Sequence, residues 1–270
     1  MSDSVIVWDI ETILDVQRFA AANDLVGKTD DEIREAHGDK FPKHIFHTIV
    51  CIGALVAERA AHGSWHVKAS GAPHVGERSE KELIESFVGK IADLEPQLVT
   101  FNGSRFDLPV LRYRAMVHRV SAPGLTARNY FYRYTDDAAD LCDVLASYSS
   151  QARATLHEIC RAMGLPGKGD GVDGAAVASL FAQGRIRDIS EYCETDVINT
   201  YQLWLRYELF RGRLTPEQFA ASEADLSTYL KERSGAKPHL AAFLAPTACN
   251  GSELTAPSSG LPSGEDNAAS

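Results

Sequence analysis

The sequence lacks several features typical of membrane, secreted or zinc-binding proteins. No apolar run reaches the roughly 20 residues that a membrane-spanning helix needs, and the N-terminal segment does not resemble a signal peptide. The five cysteines are odd in number and no two of them have C-x-x-C spacing, which argues against a disulfide framework or a structural zinc site. These absences predict a cytoplasmic protein that does not contact a membrane.

Basic residues are also few. The chain has 27 Lys and Arg against 37 Asp and Glu, which gives a net charge of −10. Broad electrostatic capture of nucleic acid is not expected, because phosphate binding relies on Lys and Arg. Cleavage of nucleic acid is still compatible with this charge, since bound divalent cations neutralise acids locally. The charge therefore argues against tight or processive binding, and not against nuclease chemistry.

The order of apolar segments and turns predicts one α/β domain. Strands are predicted in the segments SVIVWDI, HTIVCIGALVA, SWHVK and QLVTF, with a short one in AADLCDVLA. Capping boxes formed by Ser79 with Glu82 and by Thr155 with Glu158 predict helices after them, and a long helix is predicted in the second half. We expect a domain over 1–245 and a disordered tail over 246–270, where small and polar residues dominate.

Two carboxylates stand close together in the first predicted strand. Asp9 and Glu11 are two residues apart, so both side chains point to the same face. Paired acids on a buried face repel each other and lose hydration unless a cation lies between them. Taken alone, the pattern favours a strand end at which both acids are solvated.

Two further segments carry acids near the ends of elements. Tyr192 and Asp196 are four residues apart on the long helix, beside its apolar stripe, and thus share a face. Asp107 falls in the first turn of a predicted helix, where the helix dipole alone is sufficient reason for an acid. Each segment alone is weak, but together the acids suit two hard cations bridged by oxygen ligands, Mg²⁺ or Mn²⁺.

The three segments resemble the three motifs of the DEDD superfamily of 3′-5′ exonucleases. WDIET resembles the first motif, and FNGSRFDLPVL resembles the second as it occurs in the proofreading domain of B-family DNA polymerases. YCETD resembles the third motif in its Tyr form, because the His form would place His where Glu191 stands. The best match is the stand-alone group that is similar to the B-family proofreading domain.

The resemblance implies a ribonuclease H-like fold, with a mixed five-stranded sheet flanked by helices. It also implies that Asp9, Glu11, Asp107 and Asp196 hold two metal ions and that Tyr192 orients the attacking water. The expected reaction releases nucleoside 5′-monophosphates from the 3′ end of single-stranded DNA. Predicted substrate contacts, for which packing or loop roles stay open, are Thr12, Asn102, Phe106 and Lys168.

Three alternatives remain at this stage. The same site would serve a 3′-5′ exonuclease of RNA or short oligonucleotides, which contacts to the 2′-hydroxyl would distinguish. A ribonuclease H-like module could bind nucleic acid or a protein without cutting. A hydrolase of small nucleotides would suit the acidic composition. Protein partners and the basic residues that guide a strand cannot be predicted from this sequence.

Overall fold

The structure is a computed structural model that describes residues 3–167 and 176–244. The predicted substrate contact at Lys168 and the predicted tail over 246–270 lie outside the described residues. The domain boundary at 245 therefore stays a prediction.

A mixed five-stranded sheet forms the centre of the described chain. The strands are β1 (Ser4–Leu14), β2 (His47–Arg59), β3 (Trp65–Gly71), β4 (Gln97–Thr100) and β5 (Ala138–Asp140). Their order is β3-β2-β1-β4-β5. β2 pairs antiparallel with β1 and β3, whereas β4 pairs in parallel with β1 and β5. The predicted mixed sheet flanked by helices is confirmed.

Helices cover both faces of this sheet. They are α1 (Val16–Ala22), α2 (Asp30–His37), α3 (Glu80–Leu94), α4 (Asp107–His118), α5 (Gly124–Ala127), α6 (Leu141–Leu145), α7 (Leu156–Ala162), α8 (Val177–Ala182), α9 (Ile186–Phe210) and α10 (Pro216–Arg233). The capping boxes predicted before α3 and α7 are both present, with each Glu side chain accepting from the N-cap backbone. Before β2 the structure has the short helices α1 and α2 and one 3-10 turn at His44–Phe46.

β1 separates two layers of core because its side chains alternate. Val5 and Val7 pack in the cluster that contains residues of α9 such as Val197. Ile6 and Trp8 pack on the opposite side, with residues of α3 and α4. A strand buried on both faces has a near-continuous apolar sequence, which explains the run that opens this chain.

β1 is longer than the sequence predicted. The apolar run ends before Asp9, but the strand continues to Leu14 because β2 is long enough to supply partners up to His47. The pairing register shifts between Glu11 and Thr12. The unpaired residue is Val50 of β2, and alternation along β1 directs Thr12 to the opposite face from Asp9 and Glu11.

Candidate functional site

The first two acids lie beyond the carboxyl ends of the parallel strands. β4 pairs with β1 only up to Val99, opposite Val7, so Asp9 and Glu11 extend past the end of this ladder. They continue the face of Val5 and Val7, which is the face that α9 covers. Glu11 is buried and Asp9 is half-buried. The shared face expected from the two-residue spacing is present.

Gly53 lets α9 approach these acids closely. Gly53 is the partner of Asp9 across the β1–β2 ladder. A Cβ atom at this position would lie 2.7 Å from Cys193 Sγ and 3.0 Å from Val197 Cγ2. Since real Cβ atoms do not make such contacts, only glycine fits here without moving the helix. The close approach places Tyr192 and Asp196 over the acids of β1.

The turn from β4 to α4 positions the third acid. Asn102 has a φ of 72°, and the Asp140 carboxylate accepts hydrogen bonds from the backbone N–H groups of Asn102 (2.7 Å) and Ser104 (3.0 Å). α4 then begins at Asp107, whose Oδ1 accepts from the N–H of Ile10 at 3.0 Å. Because Ile10 stands between Asp9 and Glu11, this bond fixes Asp107 against the acid pair.

These elements together enclose a cleft of about 470 Å³. Seven of the nine predicted site residues line it, namely Asp9, Glu11, Asn102, Phe106, Asp107, Tyr192 and Asp196. Thr12 does not line this cleft: its hydroxyl lies 2.9 Å from His47 Nδ1, in a neighbouring cleft. Phe106 lines the acid cleft and also packs against the core, so its packing role is confirmed and its substrate contact stays a prediction.

Burial and mutual repulsion dominate the electrostatics of the cleft. Burial raises the pKa of Asp107 to about 7, and Asp140 adds to the rise, while hydrogen bonds from Ile10 and Asp9 oppose it. Burial also raises the pKa of Tyr192 well above its ordinary value, and the carboxylates of Asp196, Glu11 and Asp9 raise it further. The phenol of Tyr192 therefore keeps its proton at neutral pH.

The thiol of Cys193, a residue not among the predicted site residues, lies among the acids. One ligand atom each from Asp9, Glu11 and Cys193 falls within 4.8 Å of the others. A hydrogen bond with Cys51 and burial raise the pKa of the Cys193 thiol well above its ordinary value. The protonated thiol is a poor ligand for a hard cation. Its place three residues before Asp196, on the same helix face, was the available clue.

Arg153 brings a guanidinium to the cleft, and the sequence prediction did not identify it. Its Nη1 donates to Asn102 Oδ1 at 3.2 Å, and its Nη2 pairs with Asp143, which is fully buried. Burial opposes ionisation of Asp143, but hydrogen bonds from Arg133 and Arg153 lower its pKa. Arg153 lies in an irregular polar segment, where sequence periodicity gives no information on direction.

The fold and site define an α/β protein with an acid-lined cleft beyond the parallel strands of a mixed sheet. A family model described as "predicted 3′-5′ exonuclease related to the exonuclease domain of PolB" matches residues 39–247 of the 270-residue chain. The chain belongs to this family, and the predicted class of enzyme is confirmed at that level. The matched range includes Asp107, Tyr192 and Asp196 but begins after β1.

Solved structures give more distant likenesses. The family B DNA polymerase of the hyperthermophilic archaeon Pyrobaculum calidifontis has a TM-score of 0.49 and 17% identity, over 87% of this chain and 29% of the polymerase. A product-bound exonuclease I has a TM-score of 0.36 and 13% identity, over 70% of this chain and 46% of that protein. The chain thus spans less than half of either protein, and scores this low carry no argument about activity. A comparison with curated protein sequences gives no significant match.

Within residues 3–167 and 176–244, no helix combines the length and apolar character needed to cross a membrane.

Proposed function

We propose that the chain is a metal-dependent 3′-5′ exonuclease that shortens single-stranded DNA by a two-metal mechanism. One observation carries the proposal: carboxylates from β1, α4 and α9 line a single cleft. Buried acids that are grouped together destabilise a fold unless a cation neutralises them. The family assignment supports phosphodiester hydrolysis as the reaction that such a cation would serve.

The donor set in this cleft fits hard divalent cations. Asp9, Glu11, Asp107 and Asp196 offer carboxylate oxygens, which Mg²⁺ and Mn²⁺ prefer. Asp9, Glu11 and Asp196 would hold the cation that activates the attacking water, and Asp107 together with Asp9 would hold the cation that stabilises the leaving oxygen. When bound, such cations make water acidic enough to give hydroxide near neutral pH and stabilise the leaving oxygen.

Tyr192 orients the nucleophile in this proposal. Its phenol keeps its proton, because burial and the surrounding carboxylates raise its pKa. It therefore donates a hydrogen bond to the attacking oxygen, which places that oxygen in line with the scissile bond. The water oxygen forms a bond to phosphorus, and the bond from phosphorus to the preceding 3′ oxygen breaks. The products are a nucleoside 5′-monophosphate and a strand that ends in a new 3′-hydroxyl.

The excess of acids in the chain does not conflict with this substrate. Arg153 places a cation at the cleft itself, where it can contact a phosphate near the 3′ end. Affinity that depends on few basic side chains falls only weakly with salt. We therefore infer a distributive enzyme that releases its strand readily between cuts.

The test is degradation of 5′-labelled single-stranded DNA and RNA oligonucleotides with Mg²⁺ or Mn²⁺. Wild type is compared with Asp9→Asn and Asp196→Asn, which keep the shape of the side chain. Asp188→Asn serves as the matched control, because Asp188 lies on α9 but pairs with Arg185 outside the cleft. We expect a ladder that shortens one nucleotide at a time from the 3′ end, absent in both cleft variants and in EDTA, and retained in the control.

The preferred strand in this assay decides between DNA and RNA. A stronger preference for RNA would move the assignment to an RNA or short-oligonucleotide exonuclease that uses the same site. No cleavage by wild type with either cation, or cleavage that survives both cleft variants, would overturn the proposal. In the first case a non-cutting binding module would replace it.

A further inference from the structure

A larger cleft adjoins the acid cleft and has no role in the assignment so far. Its volume is about 1010 Å³, and it lies between Thr12–Leu14 of β1 and the segment that runs from His37 to His47. Both clefts share Ile10, Glu11, Asn102, Phe106 and Arg153 as lining residues. The two clefts are therefore adjacent, and a strand that ends at the acids would extend towards the larger cleft.

The wall of this cleft is held in place through His47. His47 Nε2 lies 3.1 Å from the carbonyl oxygen of Pro42, so this nitrogen carries the proton and donates. Nδ1 then accepts from the Thr12 hydroxyl at 2.9 Å. Burial lowers the pKa of His47, which keeps the ring neutral in this arrangement. Through these two bonds, the chain next to Pro42 is fixed relative to the residue that follows Glu11.

Phe41 exposes an aromatic ring on this fixed wall. Its side chain is 75% exposed. The ring centroid lies 5.6 Å from that of Phe106 and 5.2 Å from that of His47, and both pairs are tilted. An exposed phenyl ring gains little from the hydrophobic effect in the free protein. A flat partner that stacks on Phe41 would recover that contribution, and every nucleobase has a flat face.

The charges of the larger cleft favour a polyanion more than its acid neighbour does. Lys40, Arg105 and Arg153 line it, opposite the acids Asp39 and Glu11. Arg105 remains substantially exposed, although it lies 3.7 Å from Asp143. These side chains can contact phosphates on either side of a base stacked on Phe41.

We propose that this cleft binds the single-stranded nucleotides just upstream of the 3′ end, with one base stacked on Phe41. The proposal rests on the proposed exonuclease function for the direction of the strand, but its binding site is separate from the acids. Lys40 and Arg105 contact the flanking phosphates. Phe41 thereby sets which part of the strand stays bound while the terminal nucleotide is positioned for cleavage.

The experiment measures binding of 5′-fluorescein oligo-dT by fluorescence anisotropy, in EDTA and in Ca²⁺, with probe integrity checked on a gel. Phe41→Ala should raise the Kd about 5- to 150-fold, which is the range for loss of one base–aromatic stack. Phe41→Trp should restore binding, whereas Phe41→Leu, which keeps apolar area without a ring, should not. Phe210→Ala is the matched control, because Phe210 is 84% exposed and is not among the residues that line either cleft.

A second measurement tests stacking directly. One abasic nucleotide is placed second, third or fourth from the 3′ end, and the effect of Phe41→Ala is measured on each strand. The effect should disappear at one of these positions, because the stacked base is then already missing. An equal loss on all strands, no loss at all, or an equal loss in Phe210→Ala would overturn the proposal. Position-dependent coupling without cleavage would refute the exonuclease but not this site, whereas cleavage without coupling would do the reverse.

Discussion

Buried acids occur in two kinds of surroundings in this protein. In the first kind, each carboxylate pairs with Arg or Lys side chains, as Glu80, Asp143, Glu194 and Glu208 do. In the second kind the acids gather in one cleft, and its members are Asp9, Glu11, Asp107 and Asp196. The two groups have the same chemistry and, apart from the half-buried Asp9, similar burial, but opposite consequences for stability.

Glu80 illustrates the first group. Its carboxylate accepts from Arg114 Nε at 2.7 Å and Nη2 at 2.6 Å, and from the backbone N–H of Ile49 at 2.7 Å. His118 Nε2 lies 2.7 Å from the same carboxylate, and Arg114 also donates to Asp15 at 2.7 Å. These bonds tie α3 and α4 to β2 and to Asp15, which directly follows β1. Paired in this way, a buried charge belongs to the structural framework.

The acid cleft shows the opposite balance. The charges that raise the pKa of Tyr192 are three carboxylates, and burial raises the pKa of Asp107 to about 7. Such a group of acids opposes folding, and is retained where its chemistry is needed. Burial alone does not distinguish the acids of the cleft from the acids paired with Arg or Lys. The two groups differ in the sign of the charges that surround them.

The largest expected effect is the loss of cleavage in Glu11→Gln, a variant that should keep its thermal stability. We expect Glu11→Gln to reduce cleavage of single-stranded DNA by at least about 1000-fold, since one liganding carboxylate is lost. The melting temperature of the metal-free protein should stay the same or rise, because a buried negative charge is removed from a group of acids. Initial rates and thermal unfolding of the same samples check both halves. A large fall in melting temperature would place Glu11 in the structural group.

Glu80→Gln should do the reverse. The variant leaves Arg114 buried with Asp15 as its remaining carboxylate partner, so the free energy of unfolding should fall by about 3 kcal/mol. Urea unfolding monitored by fluorescence measures this loss. The cleavage rate per folded molecule should remain close to that of wild type. Equal stability of variant and wild type would show that the pairing of Glu80 contributes nothing net.

The pairing of Glu194, a member of the first group, can be tested through the pH dependence of stability. Burial opposes its ionisation, but hydrogen bonds from His239 and Lys237 lower its pKa from 4.5 to about 2. Because the folded pKa lies below the unfolded one, the stabilisation is complete above pH 4.5 and is lost as the pH falls towards 2. We expect Glu194→Gln to cost about 2 kcal/mol at pH 7 and much less at pH 3, measured by chemical unfolding. A difference independent of pH would contradict this role.

The smallest expected effect is stabilisation by cations. Mn²⁺ at about ten times its Kd should add about 1.4 kcal/mol to the free energy of unfolding, because it binds only the folded cleft. Differential scanning fluorimetry would detect the shift in wild type and in Glu80→Gln, but not in Glu11→Gln. A shift that persists in Glu11→Gln would locate the bound cation elsewhere.

The sequence predicted the parts of the site that follow from local periodicity. Alternation along β1 placed Asp9 and Glu11 on one face, and helical spacing did the same for Tyr192 and Asp196. Helix-start patterns predicted α3 and α7 correctly. The α/β fold class followed from the order of these segments along the chain.

Other parts depend on contacts between distant segments, which no local pattern reports. The hydroxyl of Thr12 pairs with His47, 35 residues further along the chain, although the sequence position of Thr12 suggested a place beside the acids. Arg153 and Phe41 lie in irregular segments, and their partners Asn102 and Phe106 are far away along the chain. The helix α1 was not predicted, because its seven residues are too few to show an amphipathic pattern.

Gly53 sets the distance between β2 and α9, the helix that carries Tyr192 and Asp196. The gap between β2 and α9 at this residue admits one hydrogen atom and no carbon, so the spacing of the two elements is set by the smallest possible spacer. Mg²⁺ tolerates little deviation from oxygen distances of about 2.0–2.1 Å. An added methyl group at Gly53 would push α9 away from β2 and so move Asp196 away from Asp9. Gly53, a buried residue without a side chain, thus determines the distance between the acids of β1 and Asp196 on α9.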